Sequence, residues 1–300
     1  YYAESIEERR IADTTEEFSN YQRRHDYYGN LGGGLGRVRD VTPLIRAQRL
    51  SERLIALGRP PLSNEQVLEI GRVLATEQGY RTVFDRPDKS FWRDVLEPML
   101  DPAHPLSPYE IFYLRDVLEE DVGPRAEGTE LRVGFVYEDE EGDVSSQSST
   151  RRIDRGPTLA FRWVRNLTFD QQLSILAGVG YLNTSRQNSS GEIVRADLDV
   201  SYLWTIADRY RWDTIFNLDY TDTEATDPGG DATRRDLDAR LHSEFTVFLE
   251  NSLSLSTWVT GTSLQTERSS DYVDLEESYF RTWRWSYGIG LRYYLDRVLY

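Results

Sequence analysis

The chain contains no cysteine, one methionine and a single lysine, Lys89. Without cysteine there is no disulfide, no thiolate site and no amino-terminal cysteine to carry a lipid anchor. No apolar run approaches the ~18 residues of a membrane helix, which excludes a helical membrane protein. A β-barrel is not excluded, because its lipid-facing side uses only every second residue and leaves mean hydropathy low. The formal charge of −16 argues against a nucleic-acid partner, since phosphate binding needs a clustered basic surface. With lysine nearly absent, positive charge is carried by arginine. This has a bland source in a GC-rich genome, and a sharper one in the guanidinium fork, which pairs carboxylates bidentately. Three histidines, His25, His104 and His242, come with no zinc or calcium-loop spacing, so no metal or cofactor is expected. The sequence opens at Tyr1 without methionine or a signal-like segment, the expectation for a processed chain or a fragment.

What is present is alternation. Val194, Ala196, Leu198, Val200, Tyr202, Trp204 and Ile206 share one parity, and Arg195, Asp197, Asp199, Ser201 and Thr205 the other, with Leu203 the exception. After Ala207-Asp208-Arg209 the pattern resumes with Tyr210, Trp212, Thr214, Phe216, Leu218 and Tyr220 against Arg211, Asp213, Asn217 and Asp219. Successive strand side chains point to opposite faces, so this is a hairpin with one apolar and one charged face. A soluble sandwich or lipocalin-like barrel would bury the apolar face, whereas a transmembrane barrel turns it outward. Strands of ten residues or more fit the ~9–11 needed to cross a bilayer better than the ~5–6 of globular strands. Aromatic residues beside the turn (Tyr202, Trp204, Tyr210, Trp212), with Trp283, Trp285 and Tyr293, suit a membrane girdle.

Ahead of this region, residues 1–41 read as a polar arm, helical or partner-dependent, and a Gly-rich linker. Gly29 to Gly36 is the expected joint; it lacks the Gly-Lys-Ser/Thr ending of a phosphate loop. Residues 42–123 carry a helical code. Thr42 is a candidate N-cap before Pro43, and Ala47, Leu50, Leu54 and Leu57 form a stripe. Ser63 with Gln66, and Ser107 with Glu110, are capping boxes opening two similar helices, a candidate twofold repeat. Between them Phe91 to Leu100 is amphipathic. Gly123-Pro124 to Gly128 is the boundary, after which the period is 2.

From residue 129 eight strands count out: 129–137, 158–165, 169–182, the hairpin pair, 237–249, 252–265 and the strand of Trp283 to Tyr293. Tight turns near Asn166, Asp208 and Glu250 alternate with long polar loops near 147, 187, 228 and 272. An α+β fold follows: an antiparallel transmembrane β-barrel at 129–300 preceded by a small helical domain. The even count puts that domain on the periplasmic side.

Ser286-Tyr287-Gly288-Ile289-Gly290-Leu291-Arg292-Tyr293 resembles the carboxy-terminal β-signal of bacterial outer-membrane β-barrel proteins, with Ser286, Gly288, Leu291 and Tyr293 at the signal positions. Residues 129–293 are similar to the small eight-stranded class of that family; residues 1–128 resemble no family. The resemblance implies insertion by the barrel-assembly machinery into the outer membrane of a Gram-negative bacterium. Such chains usually end at the aromatic residue, whereas this one continues; Leu295-Asp296-Arg297 resembles a further turn, and Val298-Leu299-Tyr300 the start of a ninth strand in a larger barrel.

The inward parity collects Asp197, Asp199, Arg211, Asp213, Asp219, Asp238, Arg240, His242, Glu244, Arg284 and Arg292, expected to pair as a salt-bridged filling. The catalytic alternative is His242 with Glu244 and a serine among Ser252, Ser254 and Ser256, as in a lipid-modifying enzyme. The favoured expectation is a non-enzymatic barrel, an anchor or assembly subunit whose partners are outer-membrane lipid and a protein docking on residues 1–128. A pore for solutes or polysaccharide is the alternative.

Overall fold

In the computed structural model, described for residues 2–11, 14–100, 104–120, 122–144, 147–186, 189–206, 209–227, 230–250, 253–270 and 278–293, ten antiparallel strands form one sheet in chain order. β1 (Tyr2–Ile11) and β2 (Thr14–Asp40) come first, then five helices: α1 (Thr42–Ala56), α2 (Asn64–Ala75), α3 (Glu77–Val83), α4 (Pro87–Leu96) and α5 (Pro108–Glu119). The remaining strands are β3 (Ala126–Val144), β4 (Gln147–Asn166), β5 (Gln171–Arg186), β6 (Ser190–Ile206), β7 (Tyr210–Asp227), β8 (Gly230–Glu250), β9 (Leu253–Ser270) and β10 (Ser278–Tyr293). Among the described residues β1 and β10 do not pair with each other, so the sheet is open. No described helix is long and apolar enough to cross a membrane.

In place of the arm and linker expected at 1–41, residues 2–11 and 14–40 are strands. Gly32, Gly34 and Gly36 of β2 serve close approach to β3 rather than flexibility. A Cβ on Gly32 would come within 2.6 Å of the Val133 carbonyl oxygen on β3, and Gly36 holds φ +91°, a conformation open mainly to glycine. The strand count therefore rises from eight to ten. The helices do not precede the sheet but are inserted between two of its neighbours, since Asp40 pairs with Ala126 across β2 and β3.

The long polar loops are also mostly strand. β3 runs to Val144 and β4 starts at Gln147; β5 ends at Arg186 and β6 starts at Ser190; β7 ends at Asp227 and β8 starts at Gly230. Only the β9–β10 connection, from Ser270 to Ser278, keeps any length. The two rims thus differ not in turn length but in how far the strands overshoot the apolar band. Where both faces of a strand are polar, alternation vanishes from the sequence while the backbone ladder continues. The candidate ninth strand at Val298-Leu299-Tyr300 lies outside the described residues.

The helical insert has an ordinary dry core. Ala47, Leu50, Ile70, Val95 and Leu114 are fully buried, with Leu54, Val67, Leu74, Phe91 and Val117 around them. Both capping boxes are formed: Ser63 Oγ accepts from Gln66 N at 3.3 Å while Gln66 Oε1 accepts from Ser63 N at 2.8 Å. At the second, Ser107 Oγ accepts from Glu110 N at 3.3 Å and Glu110 Oε2 from Ser107 N at 2.7 Å. Helix α1 starts at Thr42 itself, whose N–H is taken by the Asp40 carboxylate at 2.8 Å. That frees the Thr42 hydroxyl, which accepts from Arg125 N at 2.8 Å and closes the neck of the insert.

The sheet inverts this arrangement. Leu131, Val133, Phe135, Leu159, Phe161, Val179, Leu241, Val259, Ile289 and Leu291 are all exposed on one face. The buried strand residues Val136, Asp154, Val164, Leu182, Thr184, Ile193, Leu203, Thr205, Thr246, Ser254, Ser256 and Thr260 belong to the opposite parity, whereas Asp139, held by Arg151 at 2.6 Å, is buried on the apolar parity beyond the apolar band.

Candidate functional site: the sheltered face and its junction with the insert

Register places all eleven of the charged residues singled out above on the face opposite the apolar one, called the sheltered face because the buried strand residues lie on it; Asp199, Arg211, Asp213, His242 and Glu244 are half-buried and the other six exposed. Asp197, Asp219 and Asp238 lie in one cross-strand row, and Asp199, Asn217, Arg240, Thr262 and Arg284 in a row two residues away. That face is concave. Arg195 on β6 contacts Glu138 on β3 at 3.5 Å and Asp154 on β4 at 3.4 Å. In a flat sheet β3 and β6 would stand about 14 Å apart, three strand spacings, so the sheet curls toward this side.

The charges divide into small groups rather than one continuous filling. Arg211 holds Asp213 at 2.6 Å, Asn217 donates to Asp199, and Glu244 stands 3.9 Å from both His242 and Arg292. Among the described residues Arg240 and Arg284 form no ion pair. Glycines and small residues open a recess over β2–β4, lined by Asn30, Gly32, Gly34, Gly134, Thr158 and Ala160.

The His242 Nδ1 pairs with Thr260 Oγ1 at 2.7 Å, and Glu244 is too distant to orient the ring by a hydrogen bond. Ser256 lines a second recess with His242 and Glu244, over β8–β10, but pairs across the ladder with Thr246, four residues along the chain from His242. Ser254 is buried, and Ser252 lies outside the described residues. The described residues contain no cluster of three or more carboxylate or histidine side chains able to hold a metal.

The aromatic residues expected in a girdle are all on the apolar face. Trp212 sits 6.3 Å from Tyr202 and 6.2 Å from Trp204, and Tyr210 stacks on Phe245 at 5.9 Å. Trp283 and Trp285 pair with Ser263 and Gly261, further from the insert, and the Trp285 ring covers Gly261. Tyr293 pairs with Leu253 at the insert's end. Of the β-signal residues, Ser286 and Gly288 fall on the sheltered face, with Trp258 lying over Gly288, while Leu291 and Tyr293 fall on the apolar face.

Sequence reasoning missed the most densely bonded place on this face, where the insert meets it. Leu203, the one break in the alternation, is on the sheltered face, buried, and next to Gly123 at the neck. Two residues on, the Thr205 hydroxyl accepts from Arg125 Nη2 at 2.9 Å and Arg49 Nη2 at 3.1 Å. Arg49 also reaches Glu120 at 3.2 Å and Asp170 at 3.3 Å. Arg125 donates to the carbonyls of Val122 at 3.1 Å and Asp170 at 3.0 Å. Burial, and then repulsion from Arg49, lower its pKa to about 10. Leu203 was the available signal: an apolar residue in a polar register needs a cover.

No protein-family model matches the chain. No curated protein matches it either. Among solved structures the chain is similar to the ferric yersiniabactin uptake receptor FyuA from Yersinia pestis, at 10% sequence identity and a TM-score of 0.27. The likeness covers 56% of this chain and 34% of the receptor, so the chain spans about a third of the length of the protein it matches. A similarity this low establishes neither closure of the sheet nor a shared function.

Proposed function

We propose that this chain is a non-enzymatic β-barrel of the bacterial outer membrane that anchors its helical insert at the periplasmic rim, as a membrane anchor or assembly subunit. One observation carries the reading: the sheet gathers its apolar side chains on one face, where many are exposed, while the charged rows and nearly all of the buried strand residues lie on the opposite, concave face. In water such a sheet would leave a very large apolar surface uncovered, whereas in lipid the same surface is the stable one. Lipid also forbids a free sheet edge, so in the membrane the edges of β1 and β10 are paired. Placement by the barrel-assembly machinery fits the β-signal strand, and a periplasmic protein partner fits an insert with outward aromatic residues, Tyr109 and Phe112.

The test is fractionation followed by electrophoresis with and without boiling. Outer-membrane recovery with a band that shifts on boiling is expected; a soluble protein with no shift would end the reading. A second reading, a solute or polysaccharide pore, is favoured by the ten strands in place of eight and by the small-residue recess over β2–β4. Single-channel recording separates the two.

A further inference from the structure

The insert is held on the sheet by a few directional polar bonds, with no helix lying along a strand. The two buried guanidinium groups of Arg49 and Arg125 converge on one hydroxyl, Thr205 Oγ1, at the insert's end of β6. Beneath it the Thr205 N–H donates to the Asp170 carbonyl at 2.9 Å, tying the rim of β6 to the β4–β5 turn. Arg49 has carboxylates on both sides, Glu120 from the insert and Asp170 from the sheet. Arg125 is bonded only to carbonyls and the hydroxyl, and its Nη1 is buried without a hydrogen-bond partner.

A buried cation without a carboxylate bonded to it is costly, and rehydration on undocking would recover that cost. The neck has no such penalty. Val41 N donates to the Arg125 carbonyl at 2.9 Å and Thr42 brackets the same residue, so the β2–β3 ladder persists up to the base of the insert. The docked position thus combines a firm base with a seat that is polar, small and partly unsatisfied. It also lies on the concave side: Leu203 and Thr205 belong to the sheltered face, so the insert covers that face at its near end and does not lie against the apolar exterior.

We propose that the helical insert is a latched plug, seated over the near mouth of the barrel interior and released as a unit when the Arg49, Arg125, Thr205 and Asp170 contacts open. The proposal rests on the outer-membrane barrel reading and adds a regulated interior to it. The experiment uses the full chain in liposomes, comparing wild type with Thr205→Val and Arg125→Met. Three readouts are taken: heat-modifiable mobility, the rate of trypsin cleavage within the insert, and ion conductance. Both variants are expected to keep the band shift, with cleavage and conductance at least tenfold above wild type. A retained shift with both rates within twofold of wild type overturns the plug and leaves the barrel standing. A wild type without a band shift overturns the barrel, and the plug with it.

If the variants lose the shift by misfolding, a Gly123→Cys, Leu203→Cys pair decides, because the chain has no other cysteine. An ideal Cβ at Gly123 lies 3.9 Å from Leu203 Cγ, within reach of a bridge, at the cost of placing a side chain at φ +66°. Oxidised protein should resist trypsin and conduct at least tenfold less than the same protein reduced. Equal behaviour of the oxidised and reduced protein overturns the proposal.

Discussion

The helical insert and the sheet draw on the same side-chain types and use them in opposite senses. In the insert Leu50, Ile70 and Leu114 lie at 0% exposure around a dry core, while on the sheet Ile289 stands at 79% and Tyr287 at 86%. Charge differs as well: the insert's charged groups are mostly on its surface, and along the apolar band of the sheet the charged residues occupy the concave face. Hydrophobicity alone therefore did not decide which residues went inside; the surroundings did. A helix of period 3.6 can bury a stripe against other helices in water. A ten-stranded sheet with one continuous apolar face needs either a second layer or an apolar solvent. The insert supplies no second layer, because it covers only one end of the polar face.

The largest way to break this comparison is within the insert's core. Leu114→Ala should destabilise the insert by about 3 kcal/mol, the cost of lost burial plus an unfilled cavity. Limited proteolysis should then cut the insert while the heat-shifted band of the sheet remains; simultaneous loss of both would mean that the two regions fold as one unit. The counterpart on the sheet is Leu218→Arg, at mid-strand on the apolar face. In lipid it should cost about 2–4 kcal/mol, whereas on a wetted face the change would lie within about 0.5 kcal/mol. Urea-induced unfolding in vesicles measures it, and a near-zero effect would move that face out of the membrane. A smaller effect, about 1 kcal/mol, is expected from Ser107→Ala, which removes one capping box and leaves the other intact. Helix melting followed by circular dichroism should register it.

The same contrast explains what could be read from the chain. The turn-side part of the β6–β7 hairpin, Val194 to Ile206 and Tyr210 to Tyr220, was legible because one face there is apolar and the other charged, and Trp204 pairs with Trp212 across it. The helix starts at Ser63 and Ser107 were legible because capping is local chemistry. β2 was not legible, since Gly32, Gly34 and Gly36 carry no side chain to alternate, and their strand conformation is imposed by pairing with β3. The far ends of β3 and β4 were hidden for a different reason: Glu138 to Gly142 and Thr150 to Arg152 are polar on both faces, so period 2 leaves no trace. Of the candidate site, the sheltered charges were legible as a parity class, but the seat at Thr205 was not. It joins Arg49, Arg125 and Asp170 from three separate stretches, and only the misplaced Leu203 betrayed it.

The smallest effect compares the two capping boxes directly. Both place an acceptor three residues after the capping serine, but one is the neutral Gln66 and the other the ionisable Glu110. The Glu110 carboxylate takes Arg59 Nε at 2.8 Å and Nη2 at 3.0 Å besides the Ser107 N–H, and the Arg59 bonds, then Ser107, lower its pKa from an ordinary 4.5 to about 2. A carboxylate with a depressed pKa in the folded state contributes stability that is complete above the unfolded value and is lost as pH falls through the folded one. Glu110→Gln makes the second box chemically like the first, keeping the cap while removing the charge facing Arg59. The thermal midpoint of the variant's insert should therefore lie below wild type near neutral pH, and the gap should close between about pH 4.5 and about pH 2, where Glu110 itself becomes neutral. A gap that stays constant down to pH 2 would mean that Arg59 is braced mainly by the carbonyls of His104 and Pro105, at 2.9 and 3.1 Å, and that the second box stabilises its helix as the first does, by geometry alone.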